Sequence, residues 1–424
     1  MIRWLIGILF LVKVSSAGTS TVRWDSLELN EQTGVIAVVG DEGAVRIAAG
    51  EPDSNHTYAW VTFDAPNHRR DISGFSELTT SIKNHSTVSV DTMLWVCGTQ
   101  GWSAVGDFAK LVPGEEREFR ADLYELFPDK TPKINPADVD RLQIMVRGST
   151  PDLDLEIGLI ALKGEGGDLN IPPGKILVPE LEEGMPSPGK RVIYRLAGEE
   201  RSGIYSVLYL PPSWREGELY PVIVEYPGNI FLNAKCYSTG LPDQCVIGYG
   251  MTKGEGSILL SLPFVDRDAD RIIESGFGNA EDTTAYAKAA IEEVVGRFGG
   301  DRDHMVLTGF SRGSIACGFI GLRDEEIAAF WKGIHGCQHY DGSRWRESTM
   351  EDAVLRAKRF QGKAIFQTDN DAEKYRPVVE ATRPEVAWTW VNSGLGFHDT
   401  AMFLDDRPST VKLREWYEEL ISSP

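Results

Sequence analysis

The chain has 424 residues, with 43 Lys and Arg against 63 Asp and Glu, which gives a formal net charge of −20 at pH 7. This acidity argues against a nucleic-acid-binding protein, because affinity for a phosphate backbone needs a basic surface. Apolar residues make up 42% of the chain and charged residues 25%, as in globular proteins and unlike disordered or collagenous ones. At about 100 to 200 residues per domain, the length favours two or three domains.

Residues 1–17 have the pattern of a secretory signal. Arg3 supplies a positive charge, the run from Trp4 to Val12 is apolar, and Ser15 and Ala17 are small residues of the kind found at cleavage sites. The run is short for a membrane span and Lys13 interrupts it, so we expect cleavage after Ala17 rather than an anchor. The predicted location is secreted or periplasmic, with no membrane association after cleavage.

Export makes disulfides possible for the five cysteines. Cys236 and Cys245 enclose a short loop and are the expected pair, and Cys317 and Cys337 are a possible second pair. Cys97 lies in an apolar run and is expected to be a buried thiol. No cysteine or histidine cluster has zinc spacing, so no metal is predicted.

Residues 18–162 are predicted to form an all-β domain. Apolar, aromatic or alternating segments are separated by turns; they are Val35 to Val39, Tyr58 to Phe63, Val88 to Val96, Phe119 to Leu123, Leu142 to Val146 and Leu153 to Leu162. No segment has a sustained helical period. Two packed antiparallel sheets are the expected arrangement of so many short strands.

Residues 163–189 are rich in Gly and Pro and are predicted to be a linker. From residue 190 to 424, apolar strands alternate with helices, which predicts a mostly parallel sheet covered by helices on both faces. The predicted strands are Pro221 to Tyr226, Ser257 to Phe264, His304 to Phe310, Lys332 to Gly336, Lys363 to Gln367 and Val386 to Val391. One helix is predicted from the apolar face formed by Ala287, Ile291, Val294 and Phe298, and Asp282 or Thr283 is expected to cap it. The last predicted helix runs from about Ser409 to Ile421.

The segment Gly309-Phe310-Ser311-Arg312-Gly313 follows one of these strands and precedes a helix. A nucleophile elbow needs this context, because its turn is tight and strained and only small residues fit beside the serine. Ser311 is therefore the predicted nucleophile.

The other members of a catalytic triad are expected after the serine, in the order acid and then histidine. Three histidines follow Ser311, and only His398 leaves room for an acid-bearing strand end in between. The acid is expected in Thr368-Asp369-Asn370-Asp371. Asp371 is preferred to Asp369, because the acid usually comes a few residues beyond the strand end.

An oxyanion hole needs two backbone donors directed at the developing charge. The N–H of Arg312 is one predicted donor, and the N–H of Gly228 or Asn229 in the loop after Pro221 to Tyr226 is the other. The Arg312 guanidinium is expected to pair with a neighbouring carboxylate, and an anionic substrate is the alternative partner.

On these motifs, residues 190 to 424 resemble the α/β-hydrolase superfamily. The stretch from Asp282 to Gly313 looks like secreted carbohydrate esterases and the catalytic domains of prolyl-oligopeptidase-like enzymes. The resemblance implies a serine hydrolase mechanism with Ser311 as nucleophile, His398 as base and Asp371 as orienting acid. The first domain is similar to galactose-binding-like and carbohydrate-binding jelly rolls, most of all at Leu94 to Trp102.

Three further residues are predicted to contact substrate. Trp102 follows a glycine in a predicted loop and is the aromatic residue of the first domain best placed to stack on a sugar, whereas Trp60 and Trp95 are expected in the core. His339 and Trp345 follow the strand Lys332 to Gly336 and are expected to line the pocket. His335 and Gln338 are further candidates, and surface or structural roles are the alternative for all four residues.

The sequence thus predicts a secreted two-domain serine hydrolase that cleaves acyl or aryl esters on a polysaccharide without a cofactor. The alternatives are a prolyl-oligopeptidase-like peptidase, a polyester depolymerase and a non-catalytic glycan-binding protein. The first domain shows no propeller repeat, which disfavours the peptidase. The oligomeric state, the acyl group and the glycan are left open.

Overall fold

The computed structural model describes residues 22–23, 28–39, 44–50, 58–64, 70–98, 104–147, 151–233, 236–360 and 362–423. The predicted signal at residues 1–17 and the predicted sugar contact Trp102 lie outside these ranges. Within them, no helix has the length and apolar composition that crossing a membrane requires.

The first part of the chain is built from antiparallel strands. They are β1 (Val22–Arg23), β2 (Glu28–Thr33), β3 (Val35–Val39), β4 (Val45–Ala49), β5 (Tyr58–Asp64), β6 (Glu77–Asn84), β7 (Val90–Gly98), β8 (Ala104–Leu111), β9 (Glu116–Asp122), β10 (Val139–Arg147), β11 (Asp154–Ile157) and β12 (Ala161–Lys163). One sheet has the order β1-β12-β6-β11-β4-β3, with β9 also paired to β6, and the other has the order β2-β5-β10-β7-β8.

A single hydrophobic cluster joins the two sheets. In β11, Leu155 and Ile157 are fully buried in it while Glu156 between them is exposed, the alternation expected of a strand with one buried face. From the other sheet, Leu94 and Val96 of β7 enter the same cluster. The two sheets therefore bury their apolar faces against each other.

The second sheet is covered on its outer face as well. Met93, Trp95 and Cys97 of β7 belong to a separate cluster that includes Leu232 and Tyr237, far along the chain. This double burial explains why β7 is a continuous apolar run rather than an alternating one. Trp95 is completely buried here, as expected for a core residue.

The remainder of the chain forms a larger layered unit. Its strands are β13 (Leu181–Glu182), β14 (Arg191–Tyr194), β15 (Ser206–Tyr209), β16 (Tyr220–Tyr226), β17 (Phe231–Asn233), β18 (Cys236–Ser238), β19 (Ile258–Ser261), β20 (Val265–Asp266), β21 (Arg271–Ile272), β22 (Gly300–Phe310), β23 (Gly333–Cys337), β24 (Ala364–Thr368) and β25 (Ala387–Val391). Its helices are α1 (Ile247–Thr252), α2 (Ala280–Phe298), α3 (Arg312–Phe319), α4 (Glu325–Ala328), α5 (Met350–Ala357), α6 (Arg376–Thr382) and α7 (Pro408–Ser422), with 3-10 turns at Pro242–Gln244 and Ala401–Leu404.

Nine strands make one sheet in the order β13-β14-β15-β19-β16-β22-β23-β24-β25. Only the pairings of β14 with β15 and of β15 with β19 are antiparallel. The sheet is buried on both faces: in β16, Val222 and Val224 pack toward α2 and α3, whereas Ile223 packs toward α1 and α7. The mostly parallel, helix-covered sheet predicted for residues 190–424 is confirmed.

The predicted linker is only partly separate from this sheet, since β13 pairs with β14 at its edge. Other linker residues also contact the rest of the chain: the Ile176 N–H donates to the Leu404 carbonyl.

The predicted cap of α2 is wrong by one turn. The helix begins at Ala280, and the side chain of Asn279 accepts hydrogen bonds from the N–H groups of Glu281 and Asp282. Asp282 therefore lies in the first turn, where its charge favours the positive end of the helix dipole. The last helix, at Pro408–Ser422, starts within one residue of its predicted position.

The expected disulfides are also wrong, because all five cysteines are buried free thiols. The thiol of Cys236 contacts the His398 carbonyl at 3.9 Å, whereas that of Cys245 contacts the Glu225 carbonyl at 3.8 Å. The thiol of Cys317 contacts the His335 carbonyl at 3.6 Å. Each of these thiols is thus packed against backbone instead of another sulfur.

Candidate active site

Ser311 lies at a sharp turn between β22 and α3. Its backbone has φ 53° and ψ −114°, a conformation that costs a residue other than glycine free energy. A Cβ on Gly309 would lie 2.2 Å from the Gly313 carbonyl carbon, and a Cβ on Gly313 would lie 2.0 Å from the Tyr226 carbonyl oxygen. Both glycines are therefore required sterically, and the turn has the geometry of a nucleophile elbow.

His398 lies in the loop that follows β25. Its ring lies 4.6 Å from the ring of Phe310 and 5.4 Å from that of His339, measured between centroids. Burial, together with the charge of His339, lowers the pKa of His398 to about 4. The imidazole is therefore neutral at pH 7 and is able to accept a proton. It makes no hydrogen bond to another described residue.

The two candidate acids both border the groove that His398 also lines, but they differ in their partners. Asp369 directly follows β24, and its carboxylate accepts hydrogen bonds from the N–H and the hydroxyl of Ser393, both at 2.6 Å. Asp371 is half-exposed, accepts one hydrogen bond from the Glu373 N–H and lies 3.9 Å from the Lys374 ammonium group. Neither carboxylate contacts the His398 ring.

The predicted oxyanion donors lie together. Gly228, Asn229, Arg312 and Ser311 line the same cavity. None of the backbone N–H groups of Gly228, Asn229 and Arg312 donates a hydrogen bond to another described residue. A Cβ on Gly228 would come within 2.9 Å of the Phe310 ring, so glycine permits the close approach of this loop to the elbow.

The Arg312 side chain differs from expectation. It is 1% exposed and donates to the carbonyls of Ile273 and Gly276, each at 2.9 Å, and of Gly240 at 2.7 Å. It makes no ion pair with the carboxylate of any described residue, and burial lowers its pKa to about 9. Backbone carbonyls of two loops thus bind the two terminal nitrogens in place of an acid, while the buried Nε has no hydrogen-bond partner among the described residues.

The cavity around Ser311 has a volume of about 460 Å³. It is lined by the predicted residues Ser311, His398, Gly228, Asn229, Arg312, His339 and Trp345. His335 is not among them: it is fully buried within the sheet, between the hydroxyls of Thr308 and Thr368 at 2.8 and 3.0 Å. Among the described residues, no group of three or more His, Cys, Asp or Glu side chains is arranged to hold a metal ion.

Several pocket residues have no signal in the sequence. Phe231, Cys236 and Tyr237 come from the hairpin of β17 and β18, and Arg344 comes from the loop after β23. None belongs to a recognisable motif, and each reaches the pocket only through tertiary packing.

The first part of the chain supports this hairpin. The Tyr237 hydroxyl donates to the Gln143 side-chain oxygen at 2.9 Å, and the Tyr237 ring meets Trp95 edge-on at 5.3 Å. Gln143 and Trp95 lie on β10 and β7. One wall of the cavity is therefore held by the outer face of the N-terminal sheet.

The same part of the chain also supports the loop of His398. Phe127 packs on Phe397 with ring centroids 5.7 Å apart, and the Lys133 ammonium lies 5.1 Å above the Phe397 ring. Asp129 pairs with Arg407 at 3.1 Å, and Arg407 also donates to the Ser393 carbonyl. Two loops that line the cavity thus depend on residues of the N-terminal sheets and their connections.

No model of a known protein family matches the sequence, and no curated protein is significantly similar to it. Solved structures do resemble it. A thermostable esterase is 11% identical, with 86% of this chain and 96% of that chain covered and a TM-score of 0.36. A carboxylesterase from Bacillus cereus is 16% identical, with 53% and 98% covered and a TM-score of 0.33.

A sugar hydrolase from Lactococcus lactis is 11% identical, with 55% of this chain and 99% of that chain covered and a TM-score of 0.38. Similarity at this level does not transfer function from those proteins to this chain.

The elbow geometry predicts a severe effect of Gly313→Ala. The new methyl group would collide with the Tyr226 carbonyl oxygen, and we expect a loss of at least about 3 kcal/mol in the free energy of unfolding, measured by urea denaturation. Gly296→Ala is the matched control, because this exposed glycine of α2 has open space at its Cβ position. It should stabilise the protein by up to about 1 kcal/mol. Equal stability of the two variants would contradict the steric argument.

Proposed function

We propose that this chain is a serine hydrolase of carboxylic esters. The observation that carries the proposal is the strained turn at Ser311. This residue lines one cavity together with a neutral histidine and three backbone N–H groups that donate to no other described residue. Nucleophile, base and oxyanion donors are the three elements that acyl transfer requires.

In the proposed reaction, the Ser311 hydroxyl attacks the ester carbonyl while His398 accepts its proton. The N–H of Arg312 and that of Gly228 or Asn229 stabilise the tetrahedral oxyanion, and the positive end of α3 contributes to the same field. His398 then protonates the leaving alcohol as the acyl-enzyme forms. Water activated by His398 releases the acid and restores Ser311.

Asp371 is the proposed orienting acid. Both oxygens of Asp369 already accept hydrogen bonds from Ser393, so this residue holds the loop between β25 and His398. Asp371 lies on the same groove as His398 with a half-exposed carboxylate that has a single hydrogen-bond donor. A rotation of its side chain toward His398 would therefore break little structure.

The natural substrate that we propose is an acyl or aryl ester on a polysaccharide, met outside the cytoplasm. The signal-like pattern of residues 1–17 supports export. Phe231, Tyr237, Phe310 and Trp345 give the cavity aromatic walls suited to an acyl or aryl group.

Burst kinetics with p-nitrophenyl acetate test the nucleophile. The intact protein should release close to one equivalent of p-nitrophenol quickly before steady turnover, provided that deacylation is the slower step. In Ser311→Ala both phases should disappear, because no acyl-enzyme can form. A burst that persists in the variant would place the nucleophile elsewhere.

The low pKa of His398 predicts an unusual pH profile. Only the neutral imidazole accepts the Ser311 proton, so kcat/KM should stay level from neutral pH downward and fall as the pH passes through about 4. His339→Gln removes a charge that opposes protonation of His398 and should move this fall to higher pH. A wild-type fall near pH 6.5 or above would show instead that the Asp371 carboxylate has rotated onto the ring and stabilises the imidazolium, and Asp371→Asn should then return the fall toward pH 4.

The choice of acid is tested by comparing Asp371→Asn with Asp369→Asn. For Asp371→Asn we expect kcat to fall by about 10³ to 10⁴ with little change in the urea midpoint, because the histidine loses its orienting partner. Asp369→Asn should chiefly lower stability, since its hydrogen bonds to Ser393 are structural. The reverse pattern would assign the catalytic role to Asp369.

A further inference from the structure

The charged side chains of the cavity are almost all satisfied internally. The buried Glu225 carboxylate, whose pKa burial raises to about 7, accepts the N–H groups of Val246, Ile247 and Gly248. The Asp399 carboxylate accepts the Ala401 N–H at 2.8 Å. The Arg312 guanidinium is bound by the backbone carbonyls described above.

Arg344 is the exception. It lines the cavity that contains Ser311, and its guanidinium has no hydrogen bond or ion pair with any other described residue. Arg344 is exposed, so its guanidinium is accessible to a ligand that enters the cavity. Arginine presents planar donors that match a carboxylate, which makes it suited to binding one.

The backbone that carries Arg344 is fixed. Its N–H donates to the Ser348 carbonyl at 2.9 Å, and the buried Ser348 hydroxyl bonds to both the Gly342 N–H and the Asp341 carboxylate. Asp341 in turn forms a buried, two-point ion pair with Arg356, at 2.7 and 2.8 Å.

The next residue, Trp345, packs edge-on against Phe277 at 5.2 Å. The loop thus holds the start of the arginine side chain in place beside the pocket, and little ordering of the backbone remains to oppose binding.

We infer that Arg344 recognises a carboxylate of the substrate, so that the preferred esters carry an anionic group in addition to the scissile bond. This inference rests on the proposed esterase function and narrows its substrate class. The aromatic walls would contact the body of the substrate while Arg344 binds its charged end.

Two pairs of synthetic esters test this recognition and locate the carboxylate. Mono-p-nitrophenyl glutarate and p-nitrophenyl pentanoate differ in charge on the acyl side. 4-Acetoxybenzoate and p-tolyl acetate differ in charge on the alcohol side. The quantity measured is the ratio of kcat/KM for the anionic ester to that for its neutral partner, at pH 7.5, where the carboxylates are ionised.

In at least one pair, Arg344→Gln should lower this ratio about tenfold, because a charge-assisted hydrogen bond is lost. Arg344→Lys should restore part of the ratio through its charge. The matched control is Arg346→Gln: Arg346 lies over the Trp345 ring at 5.5 Å and does not line the cavity, so its removal should leave both ratios unchanged. Unchanged ratios in Arg344→Gln, or an equal fall in Arg346→Gln, would overturn the inference.

Binding without turnover separates this inference from the esterase proposal. Calorimetric titration of Ser311→Ala with 4-hydroxybenzoate and with glutarate should show binding of at least one of these two ligands. Adding Arg344→Gln to Ser311→Ala should weaken that binding about tenfold. If the wild-type protein hydrolyses none of the four esters while this difference in binding is seen, the esterase proposal fails and carboxylate recognition stands. If the wild-type protein hydrolyses the esters and Arg344→Gln changes neither the ratios nor the binding, the esterase proposal stands and carboxylate recognition fails.

Discussion

The close approach of the elbow to β16 is the constraint on which the rest of the site depends. Gly313 lies against the Tyr226 carbonyl with no room for a side chain, and Ser311 is held in a conformation that is unfavourable for serine. The pairing of β22 with β16 on one side and β23 on the other provides the surrounding order that maintains such strain. The same approach brings the N–H groups of Gly228 and Arg312 to one cavity.

The N-terminal sheets are part of this arrangement rather than a separate appendage. An independently acting binding domain needs only a covalent link to its partner, yet here Gln143 and Trp95 hold the Tyr237 wall of the cavity. Phe127 and Lys133 pack on the loop of His398. The apolar outer face of β7 would be exposed to water without the hairpin, so the hydrophobic effect itself favours the two parts staying together.

The electrostatic character of the cavity depends on which of its charged side chains have hydrogen-bond or ion-pair partners within the protein. Arg312 is the evident cation in the sequence, directly after Ser311, and its guanidinium binds backbone carbonyls of two loops. Arg344, which belongs to no motif, lines the cavity, and its guanidinium has no hydrogen bond or ion pair with any other described residue. Proximity to a motif therefore did not indicate which of the two arginines is available to a ligand.

The amino-acid sequence by itself determined the features that depend on neighbouring residues. The alternation of Leu155 and Ile157, the apolar strands of the central sheet and the Gly-x-Ser-x-Gly turn at Ser311 follow from strand periodicity and local sterics, which act over a few residues. Only the tertiary structure decided that the cysteines do not pair, that Asn279 caps α2, that His335 lies inside the sheet, and that Arg344 and Tyr237 reach the cavity. These outcomes depend on contacts between residues distant in the chain or on competition among several nearby groups, and periodicity and spacing do not encode which partner prevails.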